Sequence, residues 1–406
     1  MKKSFWGSRI LPCFTATCFL MLLMGCETVP SPHDSEFPTA ADNLSYPKSI
    51  ALLLPLKGEL GAQGTAVKEG FFAAYYIDAK ERTVGLPKIM VFDTNSDRDV
   101  LPAYQKALSQ GAEFVVGPLT KPALDTLMKA GNPQIPILAL NTIDTVSESE
   151  IYQFGLTPEN EARQAAIRAY KNGSRKALLF IQQGTWGKRV ADAFSQAFVH
   201  EGGDVAEVVF FAPRENMAEM VKKSLHIQEA EVAAVQQAAR TGQGVQFIAK
   251  ARDDVDMVFM AAMPTEARQI PPMLAYYFAK SWPVYATASV YSGTPNPKLD
   301  QDLNGVTFCD IPWLIEEPQH NALGTPDTTV QQLWPTQPRS QTRLYAMGVD
   351  AYEIIPMLPR MAVQTNYSFD GATGVLTLNE RQQVQRALPC TKFVQGVPVK
   401  LANNEE

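Results

Sequence analysis

Apolar residues in this chain arrive in short unbroken runs, each followed by a break and then by a longer stretch of mixed polarity. The first complete example is Ile50-Ala51-Leu52-Leu53-Leu54-Pro55-Leu56. It shows no polar alternation, which is the pattern of a strand covered on both faces in a parallel sheet. Gly58, Gly61 and Gly64 interrupt it, and Val67, Phe71, Ala74 and Tyr75 then recur near helical spacing within 66–79. The spacing continues with strand 88–93, helix 100–110, strand 114–117, helix 122–130 and strand 137–141. Strands alternating with helices predict βαβ units and a parallel sheet.

After Gly155-Leu156-Thr157-Pro158 the alternation restarts. It predicts helix 159–171, strand 177–181, helix 187–201 and strand 205–210, then an added helical segment over 214–240 rich in Ala, Gln and charge. Strand 257–260, helix 265–280 and strand 283–287 follow. The folded region, about 360 residues, is large for one core, so two α/β lobes are expected. They are alike in pattern only, since no fixed-period repeat is present. Further on, 305–309 is strand-like, 316–340 reads as loop, 344–361 as helix, 369–374 as a turn, and 375–378 and 390–394 as strands.

The N-terminus follows a different rule. Lys2, Lys3 and Arg9 precede an apolar stretch from Ile10 to Met24, and Leu23-Met24-Gly25-Cys26 closes it. A charged start, a short apolar core and a small residue describe a secretory signal. The cysteine directly after the small residue makes it a lipoprotein signal, with Cys26 as the lipidated residue. Residues 26–47, holding Pro30, Pro32 and Pro38 among Ser and Asp, read as a flexible tether. It reaches at most roughly 70 Å when fully extended.

Removing Lys2, Lys3 and Arg9 with the signal leaves 33 Lys+Arg against 42 Asp+Glu, a net charge near −9. An acidic surface without basic clusters argues against nucleic acid as a partner. Cys13 and Cys18 also leave, so Cys309 and Cys390 remain as one pair in an oxidising compartment, and a disulfide between them is expected. Catalytic signals are poor. His33, His200, His226 and His320 are scattered, and no nucleophile elbow, phosphate loop or dinucleotide fingerprint is present. Ser45-Tyr46-Pro47-Lys48 has a proline inside the turn that a Ser-x-x-Lys nucleophile needs as helix. No enzyme activity, cofactor or metal is expected. The Gly58, Gly61, Gly64 series reads as a loop feeding a helix, and Asp253-Asp254-Val255-Asp256 as a strand cap.

In open parallel sheets, ligands bind beyond the carboxyl ends of the strands. Those ends carry Lys57, Thr120 and Asn141 in the first lobe, and Gln182, Trp186, Thr287, Ser289 and Tyr291 in the second. Hydroxyls, an amide and aromatics facing a cleft would hold a small polar ligand.

Several segments resemble a known family. The 49–56 run with its glycines is similar to the opening of type I periplasmic binding proteins. Val115-Val116-Gly117-Pro118-Leu119, Leu138-Ala139-Leu140-Asn141 and 156–162 resemble the C-terminal domain of the LpoA (LppC-type) penicillin-binding protein activators. So, more specifically, do 283–287 with Tyr291-Ser292-Gly293, the 302–313 stretch ending in Pro312-Trp313, and Arg343-Leu344-Tyr345-Ala346-Met347-Gly348-Val349-Asp350-Ala351-Tyr352. The resemblance covers nearly all of 48–400. It implies two α/β lobes joined by three crossings, and an outer-membrane lipoprotein that stimulates a class A penicillin-binding protein without being an enzyme. Larger members carry a helical-repeat domain where this chain has the tether. Glu27 after the lipidated cysteine favours the outer membrane. A second reading is a lipoprotein that binds an amino acid or small metabolite for a transporter or sensor. The expected division is a signal over 1–25, Cys26 and the tether over 26–47, one lobe from 48–157 with about 330–368, the other from 158–329 with about 369–400, and a tail over 401–406.

Overall fold

The computed structural model describes residues 45–82, 85–95, 99–143, 150–227, 237–238, 240–241, 252–315, 326–335, 338–364 and 366–401. The expected signal, Cys26, all but the last three residues of the tether and most of the tail lie outside these residues. So do parts of the 214–240 and 316–340 segments.

The first sheet comprises β1 (Ser49–Leu54), β2 (Lys88–Asp93), β3 (Phe114–Val116), β4 (Ile137–Ala139) and β5 (Ile151–Gln153), with α1 (Gly61–Glu81), α2 (Val100–Ser109) and α3 (Lys121–Lys129) between them. A second series follows: α4 (Pro158–Lys171), β6 (Lys176–Gln182), α5 (Thr185–Glu201), β7 (Asp204–Phe211), α6 (Met217–Ser224), β8 (Met257–Ala261), α7 (Pro264–Ala267), α8 (Ile270–Tyr276), β9 (Val284–Ala286), α9 (Pro297–Asp300) and β10 (Val306–Cys309). The chain ends with α10 (Pro312–Ile315), α11 (Pro326–Leu333), α12 (Thr342–Glu353), α13 (Leu358–Val363), β11 (Phe369–Gly371), β12 (Gly374–Leu378), β13 (Val384–Ala387), β14 (Cys390–Val394) and β15 (Val397–Lys400).

Sheet one runs β2-β1-β3-β4-β5, all parallel. Sheet two runs β15-β14-β10-β9-β8-β6-β7, and its five strands from β10 to β7 repeat the same doubly wound parallel order. The burial explains the unbroken apolar runs. On β1, Ile50, Leu52 and Leu54 enter one core while Ala51 and Leu53 enter another on the opposite face. On β6, Leu178 and Phe180 face one core and Ala177, Leu179 and Ile181 the other. Successive side chains point to opposite faces, so a strand covered on both sides must be apolar at every position.

Some elements differ from expectation. The expected helix over 265–280 is two short helices, because Pro271 and Pro272 start a new one rather than continue the old. The expected helix over 344–361 breaks after Glu353, with Pro356 and Pro359 in the pieces that follow. Within the expected 316–340 loop, α11 is helical, and its Val330 packs on Ala66, Ala73 and Tyr345. Helix α6, read as part of an added segment, buries Met217, Met220 and Val221 in the second lobe's core.

The expected lobe boundaries shift at two places. Trp313 and Val330 pack with first-lobe residues, so the second crossing falls near 310–312 rather than near 330. Strands β11, β12 and β13 form a separate three-stranded antiparallel sheet. Its Leu376, Leu378 and Val384 pack with Ile50 and Leu52, so 369–387 belongs to the first lobe and only 390–400 to the second. Three crossings result, at about 154–157, 310–312 and 388–389. The third is bolted where the strands restart. Cys309 and Cys390 sit opposite each other in the β10–β14 ladder, and a disulfide joins them.

Helices α1 and α12 approach so closely that two glycines are required at the crossing. A Cβ on Gly348 would lie 2.1 Å from the Val67 carbonyl oxygen, and one on Gly70 would lie 2.0 Å from that of Tyr345. Backbone cannot yield as a side-chain tip does. Gly348→Ala is therefore expected to cost about 2–3 kcal/mol by forcing the helices apart. An unchanged urea midpoint for this variant would sink the close-approach argument.

Candidate functional site

Two adjoining cavities open where the lobes meet. The larger, about 510 Å³, is lined by Thr142, Gly155 and Thr157 at the first crossing, the start of α4, one face of α5 and the β12–β13 turn through Arg386. The smaller, about 280 Å³, is lined by Leu119, Asn141, Leu156, Leu344 and Met347. Lys121, Thr157, Glu159 and Arg189 border both, so the two are continuous.

The larger cavity is polar and its charge is uneven. It presents Lys121, Arg163, Arg189, Arg381 and Arg386 against Glu159 and Asp192. Arg189 Nε donates to Glu159 Oε1 at 2.5 Å, which spends one charge of each sign. An excess of basic groups remains in a chain whose net charge is −6. Arg386 is only 4% exposed. Its Nε and Nη2 have no hydrogen-bond partner among the described residues. Burial lowers its pKa, opposed by the nearby charges of Glu161, Asp310 and Asp350.

Three side chains, Arg343, Glu161 and Gln164, brace the structure around these cavities. Arg343, in the first turn of α12, donates from Nε to Asp310 Oδ1 at 2.8 Å and from Nη2 to Asp310 Oδ2. The same Nη2 reaches the carbonyls of Ala288 and Tyr291, both at 3.2 Å. The Ala288 N–H donates to Glu161 Oε2 at 2.9 Å. Gln164 grips the third crossing: its Nε2 donates to the Arg386 carbonyl at 3.0 Å, and its Oε1 accepts from the Leu388 N–H at 2.9 Å.

The residues expected in the cleft divide sharply. Asn141 lines the smaller cavity, but its amide is spent on backbone, donating to the Leu119 carbonyl and accepting from the Thr142 N–H, both at 2.9 Å. Thr120 caps α3 by accepting from the Ala123 N–H. Lys57 is exposed and pairs with Asp93 at 3.5 Å. Gln182 accepts from the Met263 N–H, and Trp186 packs against the core beneath α5. Thr287, Ser289 and Tyr291 do not face a cleft. Thr287 is fully buried and bonds to Ser289, whose hydroxyl donates to the Ala262 carbonyl at 3.0 Å. Tyr291 belongs to the second lobe's core, where burial pushes its phenol up to about 12. The physical reason is the short helical turn over Ala288–Val290, which turns the chain inward directly after β9.

Arg386 escapes a reading of the sequence because β13 is only four residues long, while Arg163 and Arg189 lie on the expected helices α4 and α5 with nothing in their spacing to aim them at a cavity. A signal existed: Val384 and Arg386 are two apart, hence on one face, and Val384 is core. Of the glycine series, Gly64 serves packing, since a Cβ there would meet the Pro55 carbonyl oxygen. Asp256 caps the start of β6 as expected, accepting from the N–H groups of Arg175 and Lys176.

Four carboxyls are raised, each chiefly by burial: Glu161 to about 7, Asp350 to about 6, Glu353 to about 8, and Asp327. The folded state therefore holds these protons more tightly than the unfolded chain does. Their stabilising contribution is complete below the ordinary carboxylate range and is lost as pH rises through about 6 to 8. The thermal midpoint is expected to fall by about 2–4 °C between pH 6 and 8.5. Glu161→Gln and Glu353→Gln together should flatten that slope. A midpoint that rises over this interval would contradict the assignment.

Comparison with known proteins places this architecture. Residues 40–396 match the profile of the family described as "LppC putative lipoprotein". A protein of Aliivibrio fischeri named penicillin-binding protein activator LpoA is 32% identical over 350 residues, 84% of this chain and 56% of that protein. The chain thus spans little more than half the length of such relatives. The LpoA (YraM) C-domain of Haemophilus influenzae, described as a regulator of PBP1A, superposes with a TM-score of 0.67 at 25% identity, over 87% of this chain and 100% of that domain. A "putative branched-chain amino acid ABC transporter" of Chromobacterium violaceum gives 0.62 at 25% identity, over 86% of this chain and 100% of that one. The two doubly wound sheets joined by three crossings are the type I periplasmic-binding-protein-like fold, and with nearly the whole described region inside the family match, the chain belongs to the LppC lipoprotein family.

Proposed function

We propose that this chain is a lipid-anchored, outer-membrane protein that binds and activates a class A penicillin-binding protein, and so regulates peptidoglycan synthesis without catalysing it. The observation that carries this reading is the end-to-end match to a domain described as a regulator of PBP1A. Two features support it. The Leu23-Met24-Gly25-Cys26 sequence suits lipidation at Cys26. The side chains expected to hold a ligand are largely spent on backbone or core. Activation would act by favouring one conformation of the synthase, which is a coupling free energy rather than a chemical step.

The test is the crosslinking rate of a class A penicillin-binding protein from the same envelope, with and without lipid-free residues 27–406. A severalfold acceleration that saturates with added protein is expected. No acceleration by a folded sample of an active synthase would overturn the proposal.

A further inference from the structure

We propose that the larger junction cavity is a binding site for a small, multiply charged oxyanion, a polycarboxylate or a phosphate compound, with Arg386 as its buried anchor and Arg163, Arg381 and Lys121 around the rim.

The case starts from Arg386. A guanidinium has five N–H donors and stays charged, so burying it without partners is costly. Three carboxylates lie near enough to act on its charge, yet each is engaged elsewhere. Asp310 receives Arg343, Asp350 receives the Thr373 hydroxyl and two backbone N–H groups, and Glu161 receives the Ala288 N–H. Arg386 Nε and Nη2 are sealed from solvent and without hydrogen-bond partners among the described residues, while the residue itself lines the cavity.

Its position is also held. Arg386 pairs with Leu376 in the β12–β13 ladder, and its carbonyl is gripped by Gln164. A charge fixed before the ligand arrives loses little freedom when one binds. The N-terminus of α4 borders the same space through Thr157, Glu159 and Asn160, and Thr157 makes no side-chain cap there. Uncapped N–H groups at a helix start add positive potential. Arg163, Arg381 and Lys121 make no ion pair among the described residues, while Glu159 is already matched by Arg189. Among the described residues, Asp192 is the acidic group on the lining left to oppose an anion. At about 510 Å³ the space suits a metabolite-sized compound rather than a single ion.

Carboxylate and phosphate share this chemistry, and the experiment separates them. Citrate and pyrophosphate are titrated calorimetrically into lipid-free residues 27–406 at fixed ionic strength and pH 7, with glucose as neutral control. At least one anion is expected to bind with a dissociation constant below about 1 mM, and which one binds names the class. Arg386→Gln should weaken binding about tenfold or more, and Arg381→Gln or Arg163→Gln severalfold. The rim variants are exposed and decide the matter if Arg386→Gln does not fold. Binding of neither anion, or equal binding by wild type and the rim variants, overturns the proposal. The synthase assay contains no added anion, so the two proposals fail independently.

Discussion

Arg343→Met is expected to lower the unfolding free energy by about 3–5 kcal/mol, because it strands a buried carboxylate. Asp310 is 1% exposed, and Arg343 meets both of its oxygens. The two carbonyls of Ala288 and Tyr291 lose a donor at the same time. Lysine does not restore the contact, since an ammonium cannot present two parallel N–H groups to one carboxylate. Adding Asp310→Asn to Arg343→Met should recover part of the loss, because the uncompensated charge disappears. The measurement is urea unfolding at pH 7 for the two single variants and the double. Strict additivity would mean that the pair is not coupled. Because this contact joins α12 to the end of β10, the variant should also become more open to proteolysis near the second crossing, within 310–312.

Asp350→Ala should be comparably severe, about 3–5 kcal/mol, for a different reason. Asp350 is fully buried and accepts from the N–H groups of Ala372 and Thr373 at 2.6 and 2.8 Å and from the Thr373 hydroxyl at 2.5 Å. Removing it leaves three donors without an acceptor, and each such loss costs about 1–3 kcal/mol. The turn between β11 and β12 is shaped around this carboxylate: a Cβ on Gly371 would come within 2.7 Å of its oxygens. Asp350→Asn keeps one acceptor oxygen and should lose roughly half as much. Hydrogen exchange at Ala372 and Thr373 is the direct readout. If those amides stay protected in Asp350→Ala, the turn is held by something else.

These two residues lie on one helix, and they explain why Arg343 to Tyr352 carries so specific a resemblance. Arg343 reaches the second lobe, Gly348 admits α1, Asp350 holds the β11–β12 turn, and the Tyr352 hydroxyl donates to Asp78 at 2.6 Å. Each position answers to a different neighbour. The stretch is the joint of the molecule rather than a ligand-binding sequence.

What the sequence by itself determined was the alternation. Runs such as 50–54 and 177–181 must be strands covered on both faces, because no polar residue interrupts them, and the two series of strands and helices imply two lobes. The lipidation signal expected at Cys26 rests on local order alone and lies outside the described residues. The pairing of Cys309 with Cys390 follows from counting once Cys13, Cys18 and Cys26 are assigned to the expected signal, and the structure joins the two. What only the tertiary structure decided was the junction. Short strands such as β5 and β13 carry three or four residues each, too few for a periodic signal, and it is β13 that brings Arg386 to the cavity. Sheet topology says where strand ends lie but not which way a side chain turns after them, so Thr287 and Tyr291, expected in a cleft, are buried, and the Ser289 hydroxyl is spent on Thr287 and the Ala262 carbonyl. Gln164 reaches residue 388 across 224 positions of sequence, and Asp350 reaches Thr373 past α13 and β11. Long-range polar contacts of that kind have no period and no local signature; they exist only once the packed lobes bring their partners within hydrogen-bonding distance.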